Sequence, residues 1–409
     1  MEHQRYLTQV IFTQLKEVEA GRLPTSPASI IRSSLPESLR NGYDVLISAR
    51  IPSGVLVQAD RVVQQMRNQF FTEAANSLNE VLDAVSGNTG VVADLRDLSA
   101  MLSEEEQKEA ARFEGMFRLQ GEMYDAIKAA HPERVAQLDR RREIEVAFMY
   151  GEIVSPPVPL FRTPKGNSGS PHVAVVSHEG KRHRAIIKFG FSERFSRSGV
   201  VAGNGYWREV SGAMHAVGMG VDAPAVVSRR LDRYGPATLM EFLDGSSCEM
   251  VSNWFTDSDR RIHPEIFNIA ANDWLTWRTD GAPRNLVTTI ENTIAVIDFG
   301  SDFSTDLTVA LSSAALYLVS KLDYEIPEEV RQCVREWGRS TERQIFDQIF
   351  ALAPEDMSGY RRAYEVRLAQ MLAAFDTMDR RIAFPPYSVS FRKDFGREFF
   401  LEFLRFGNT

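Results

Sequence analysis

Residues 295–303 read AVIDFGSDF and follow WRTDGAPRN at 277–285. Between them these stretches offer Asp280, Asn285 five positions later, and Asp298 beside Phe299 and Gly300. Phosphoryl transfer from a nucleotide needs such a set. One carboxylate must orient the acceptor hydroxyl and take its proton, while a second carboxylate and an amide oxygen hold the magnesium ions that neutralise phosphate charge. An Asp-Phe-Gly triplet alone recurs by chance, but the ordered set behind the apolar run TIAVI carries more weight.

Asp280 follows the helical pattern IFNIAANDWLTWRT in a loop containing Gly281 and Pro283. The negative end of a helix dipole is unfavourable for a carboxylate. An aspartate there wants a compensating cation, and Arg278, Arg284 or a metal could supply it. A turn-forming Asp-Gly is the plainer alternative. Residues 286–297 contain LVTT, a turn at Glu291 and Asn292, and TIAVI, which together predict a hairpin. Such a hairpin brings Asn285 at its entry beside Asp298 at its exit, as two metal ligands require.

Lys188 ends the apolar strand AIIKFG, where it can turn inward toward nucleotide phosphates; a surface lysine at a strand end is the competing reading. Glu209 lies in the helical stretch GYWREVSGAMHAVG, at the edge of an apolar face marked by Val210, Ala213, Met214 and Val217. The loop PKGNSGSPH, with Ser168 and Gly169 at its centre, can converge backbone amides on phosphate oxygens, although it lacks GxGxxG spacing. TLMEFLDG, with Glu241 and Phe242, reads either as a connector whose backbone binds adenine or as an ordinary central strand. His172, His178, His183, His215 and His263 have no metal-site spacing, and Ser168 and Ser170 lie in no GxSxG elbow.

These residues need a scaffold to position them. The 409 residues suffice for about two to three domains, with an ordinary globular composition. The net charge of −8 disfavours general nucleic-acid binding. Cys248 and Cys333, distant and alone, suggest a reducing compartment. The first 21 residues lack a signal-peptide pattern, and the longest apolar run, residues 310–319, is well short of the ~20 residues that span a bilayer. A cytoplasmic protein is expected; an exported effector or toxin would look the same.

Up to about residue 155 the pattern is helical. Val62, Met66, Phe70, Ala74, Leu78, Val81 and Val85 recur at three- and four-residue steps up to Gly87 and Asn88. Further helices are expected over 103–130, opened by a capping box at Ser103, and over 132–150. The prolines of VSPPVPLF mark a boundary. Beyond it, HVAVVSH and HRAIIKFG form a predicted hairpin around Glu179 and Gly180, followed by a helix and the strands PAVVSRRL and ATLMEFLD. Helices resume after Ser301. The predicted class is α+β, without regular βαβ alternation.

Residues 161–303 resemble the atypical kinases that include type II phosphatidylinositol 4-kinases and HipA-type bacterial serine/threonine kinases. WREVSGAMHAVGMGVDAPAVV is similar to the lipid kinases' R-E-V-A-A-type helix, and ATLMEFLDG to their G-S-L-Q-E-F-V-type strand. Asp273 lies seven before Asp280, with Asn285 and AVIDFG following, as in that family's catalytic segment; HipA-type kinases share the five-residue spacing from aspartate to asparagine. Arg278 replaces the family's asparagine, and Gly281 its arginine or polar residue.

The resemblance implies a two-lobed kinase domain over 156–409, with an N-lobe to about 245 and a helix-rich C-lobe after it, behind a helical domain at 1–155. It implies ATP with Mg²⁺ or Mn²⁺, and Asp280 and Lys188 as catalytic residues. Lys188, Glu209, Ser168, Gly169, Glu241 and Phe242 would bind nucleotide, and Asn285 and Asp298 the metal. A protein Ser/Thr acceptor is the first expectation and a phosphoinositide or other small molecule the second. A pseudokinase scaffold and an AMP-transferase are the rivals. The helical domain is expected to bind a regulatory or target protein, and residues from about 154 onward to bind nucleotide without it.

Overall fold

Period-two alternation in residues 172–189 builds the element on which the rest of the architecture hangs. In the computed structural model, β3 (His172–His178) and β4 (Lys181–Phe189) pair antiparallel across Glu179 and Gly180. Both turn residues have positive φ, 48° and 79°, which is the backbone that matches strand twist in a two-residue hairpin. The short β1 (Glu152–Ile153) and β2 (Val158–Pro159) both pair with β3, so the proline-rich stretch runs along a sheet edge. On the other side β4 pairs with β6 (Gly235–Glu241), and β6 with β5 (Val226–Leu231). The sheet is antiparallel throughout, in the order β1-β3-β4-β6-β5. The structure describes residue 35 and residues 37–48, 56–67, 70–84, 89–160, 171–190, 205–231, 234–250, 255, 263–291, 293–300, 302–303, 313–321 and 326–375.

The chain divides into two compact units, Met1–Ala110 and Ala111–Thr409. In the first, α1 (Glu37–Ser48), α2 (Leu56–Arg67), α3 (Phe71–Ala84) and the start of α4 (Thr89–Ala130) enclose a core that includes Leu39, Val62, Met66, Leu78 and Leu98. The apolar stripe predicted over 62–85 is split between α2 and α3, which pack on each other. Phe70 N reaches back to Gln65 O at 2.8 Å and Ala74 N begins the next helix on Phe70 O. Ser103 opens no helix: it lies inside α4, and its hydroxyl donates to Ser99 O one turn earlier. Gly87 and Asn88 lie outside the described residues, as does the N-terminal stretch read for targeting signals.

In the second unit, the end of α4 and α5 (Val135–Tyr150) pack with the sheet. Ile144 and Phe148 join Val176, Ile187 and Leu239 in one apolar cluster. Buried Arg141 fastens α5 by donating to Ala223 O at 2.5 Å and Pro224 O at 2.6 Å, and Gln120 of α4 donates to Val226 O at 2.8 Å. Residues 111–150 therefore share a compact unit with the sheet, and the division falls ahead of the proline stretch.

The opposite sheet face is covered by α6 (Gly205–Gly218), buried along nearly its whole length. A second sheet, β7 (Gly245–Ser247), β8 (Leu286–Thr289) and β9 (Ile294–Val296), lies in the same unit. So do α7 (Pro264–Thr276), α8 (Ala314–Lys321), α9 (Glu328–Trp337), α10 (Thr341–Asp347) and α11 (Ser358–Phe375). The helical run of residues 330–353 breaks at Ser340, whose side chain caps α10 by accepting from Arg343 N at 3.0 Å. The architecture is α+β, as the sequence predicts. Among the described residues no helix is long and apolar enough to cross a membrane.

Candidate functional site

Alternation along β4 puts Ala185, Ile187 and Phe189 into one core and Lys188 on the face toward α6, with its side chain 13% exposed. The Lys188 ammonium bonds Glu209 of α6 and, at 2.8 Å, Asp298 Oδ1. Glu209 is 2% exposed, and its other carboxylate oxygen accepts from Phe299 N at 2.8 Å. One glutamate thus ties the lysine strand to the Asp-Phe-Gly turn. The bond from Phe299 N is a backbone contact without sequence signature.

Asp298 has φ +62°, uncommon for a residue with a side chain. Three contacts maintain that turn. Gly212 of α6 lets the helix press on Phe299, since an added Cβ would lie 2.5 Å from Phe299 Cβ. Glu209 holds Phe299 N, and Arg278 donates to Ile297 O at 2.6 Å and Asp298 O at 3.1 Å.

The predicted β8–β9 hairpin forms, with Leu286 opposite Val296. One step beyond that pair Ile297 N donates to Asn285 O at 3.0 Å, so Asn285 and Asp298 flank the same end of the ladder. Asn285 Nδ2 donates to Asp280 O at 2.7 Å, which commits the amide nitrogen and leaves the amide oxygen as an acceptor. The Asp280 carboxylate accepts from Arg284 at 2.8 Å, so Arg284 supplies the cation that the helix end calls for. Arg278, the other candidate, is turned instead to the Asp298 backbone.

Burial is the largest influence on each member of the lysine cluster. It pushes Glu209 upward against the pull of Lys188. For Asp298, which is 31% exposed, burial is outweighed by the Lys188 charge and hydrogen bond and by Arg278, and the carboxyl is held below its usual range. Burial opposes the charge on Lys188 too, but Asp298 and Glu209 outweigh it and raise its pKa. The result is an ammonium lodged between two carboxylates, able to exchange one anionic partner for phosphate oxygens. Burial also pushes both thiols up to about 11, so Cys248 and Cys333 are protonated and free.

Glu241 and Phe242 stand apart from this cluster. Glu241 accepts from Arg140 at 2.7 Å and from Ala225 N at 3.2 Å, and Phe242 lies under the Arg184 guanidinium at 4.4 Å. Both line a cavity of about 430 Å³ with Arg134, Gln137 and Asp222, and none of Lys188, Glu209, Asp280, Asn285 or Asp298 borders it. Ser168 and Gly169 lie outside the described residues.

Asn285 and Asp298 suit a hard cation: both offer oxygen, and Mg²⁺ is usually held by one or two carboxylates with waters and substrate phosphates completing its shell. Among the described residues no group of three or more His, Cys, Asp or Glu side chains makes a self-sufficient metal cage. These residues fit an ion that arrives with a nucleotide.

No protein-family model matches the chain, and no curated protein sequence does. Among solved structures the chain is similar to the Helicobacter pylori proinflammatory kinase CtkA, at 12% identity over 57% of this chain and 98% of that one, with a TM-score of 0.35. It is also similar to HipA of Shewanella oneidensis MR-1, solved with HipB and operator DNA, at 15% identity over 62% of this chain and 70% of that one, with a TM-score of 0.28. Likenesses at this level leave the function of this chain to be read from its own residues.

Proposed function

We propose that this protein is an ATP-dependent phosphotransferase of the atypical kinase type, with residues 156–409 supplying two kinase-like lobes. The carrying observation is the convergence of Lys188, Glu209 and Asp298, from a strand, a helix and a hairpin exit, beside Asn285 and the Asp280 loop. A buried lysine held by a glutamate is what phosphate binding requires: the charge is kept in place and desolvated, so its attraction to an anion is strong.

In this reading Lys188 binds phosphate oxygens and Glu209 keeps it aimed. Asp280, held by Arg284 and Asn285, orients the acceptor hydroxyl and takes its proton as the acceptor oxygen bonds the γ-phosphorus and the bond to the β,γ-bridging oxygen breaks, releasing ADP. Asn285 and Asp298 hold Mg²⁺, which when bound neutralises charge on the phosphates. The acceptor we propose is a protein Ser or Thr hydroxyl. A net charge of −8 is repelled by anionic headgroups, which favours protein over lipid. The helices of the first unit, up to Ala110, would recognise that target or a regulator.

The test is nucleotide-linked stability. With Mg²⁺ and ATP at about a hundredfold excess over the dissociation constant, binding stabilises the fold by roughly 2.7 kcal/mol. Asp298→Ala should lose the metal-dependent part of that gain. An unchanged melting shift in the variant removes Asp298 from the metal site.

A further inference from the structure

Arg278 is one of the two residues, with Gly281, at which this chain departs from the kinase pattern it otherwise resembles, and it is completely buried. A guanidinium out of water is costly unless its donors are used. Its position follows from the end of α7. Trp277 takes left-handed φ, +50°, at the helix C-cap, and Arg278 N returns to Asp273 O at 3.0 Å. From that turn the side chain reaches the end of the β8–β9 hairpin where the chain leaves β9.

There Nη2 spans two successive carbonyls, Ile297 O at 2.6 Å and Asp298 O at 3.1 Å. The guanidinium lies over the Phe299 ring at 5.2 Å. Nε and Nη1 make no hydrogen bond and face Asp302 and Asp273, each at 3.8 Å. A second buried arginine treats the other end of the segment similarly: Arg208 donates to Asp302 O at 2.6 Å and to Phe303 O, and is anchored by Glu355. Phe303 N donates to Thr276 O at 2.8 Å. Carbonyls 297, 298, 302 and 303 are thus all fixed by arginines that solvent does not reach.

We propose that Arg278 is a positioning residue for the metal site: it holds the Ile297–Asp298 carbonyls, and through them the left-handed turn that aims the Asp298 carboxylate beside Asn285. This rests on the metal role given to Asp298 above. Only the side chain of Asp298 would meet the ion, while Arg278 holds the backbone behind it. Without the clamp a non-glycine residue at positive φ has less to keep it there, and the carboxylate swings off the Asn285 side. Outer partners that orient metal ligands are commonly worth about 10–100-fold in metal affinity.

The experiment titrates Mn²⁺ into the full-length protein with an ATP analogue whose γ-phosphoryl cannot be transferred. Free Mn²⁺ is followed by electron paramagnetic resonance, and analogue affinity without metal is measured separately. Arg278→Lys keeps the charge but lacks the planar fork, so it separates clamping from electrostatics; Arg278→Met removes both. Both variants are expected to bind Mn²⁺ about 10-fold more weakly or worse, with metal-free analogue affinity and far-ultraviolet circular dichroism unchanged. Wild-type Mn²⁺ affinity in a folded Arg278→Lys protein, while Asp298→Asn loses it, overturns the positioning role and leaves the proposed function standing. A wild-type protein that binds no Mn²⁺ with the analogue overturns both. If neither Arg278 variant folds, Arg278 is a core residue and the positioning role fails.

Discussion

A methyl group placed on Gly212 tests whether α6 and the Asp298 turn act as one piece. The added Cβ would lie 2.5 Å from Phe299 Cβ and 2.8 Å from its ring, a separation that carbon atoms do not tolerate. Relief requires Phe299 to shift, and Phe299 is fully buried between Glu209 and Arg278, next to Asp298. Overpacking of this kind costs about 1–3 kcal/mol. Alanine in a helix gains back roughly 0.5–1 kcal/mol over glycine, so the net loss for Gly212→Ala is up to about 2.5 kcal/mol. Gly359 in α11 is the internal control, because an added Cβ there meets nothing within 4 Å. Gly359→Ala, in the first turn of α11, should therefore stabilise by up to roughly 0.5–1 kcal/mol. Urea midpoints of the two variants supply the stability difference, and the melting shift with ATP and Mg²⁺ supplies the functional one. Gly212→Ala should lose much of that shift while Gly359→Ala keeps it. A Gly212→Ala protein as stable as Gly359→Ala and equally responsive to nucleotide would refute the coupling.

His215 is fully buried between Asn272 at 2.8 Å and Tyr364 at 2.9 Å, and burial holds its pKa down to about 4. Unfolded histidine titrates near 6.5, so below that pH the unfolded state takes a proton that the folded state refuses. Stability should fall between about pH 6.5 and 4, by on the order of 3 kcal/mol in all. Urea midpoints from pH 7 to 5 should flatten in His215→Gln, and an equal slope in both proteins would exonerate the histidine. Truncation tests the packing of α5: a chain starting near residue 111 should fold and bind ATP, whereas one starting near 154 loses Phe113, Met116, Leu119 and Leu138 from the core and the Arg141 bonds to Ala223 and Pro224. A soluble, ATP-binding protein from residue 154 onward would show those helices to be dispensable.

Much of the sheet and the lysine cluster was legible because the signals are short-range. Alternation around Glu179 and Gly180 specifies the β3–β4 hairpin, and the same alternation puts Lys188 opposite the core positions. LVTT and TIAVI around a turn specify β8 and β9, which bring Asn285 and Asp298 to one end. The remainder depends on long-range contacts. The Arg278 clamp requires a left-handed turn at Trp277, a conformation that tryptophan does not advertise. Arg208 meets Glu355 across 147 residues, with no periodicity to link them. Amphipathic stripes in α4 and α5 show that those helices must be buried but not against what, so the proline run looked like the boundary. The split between α2 and α3 was invisible for a similar reason: one continuous stripe serves one long helix or two that pack on each other.

Label transfer distinguishes phosphoryl transfer from AMP transfer and from a scaffold. The full-length protein is incubated with Mg²⁺ and ATP labelled at either the γ or the α position, alongside an Asp280→Ala variant. γ-Label, and no α-label, is expected on a serine or threonine of the protein or of an added protein acceptor. In Asp280→Ala, transfer should be lost while ATP binding is kept, because a carboxylate that orients the acceptor acts mainly in the transition state. Incorporation of α-label would mean AMP transfer, and transfer that survives in Asp280→Ala would contradict the role given to this loop.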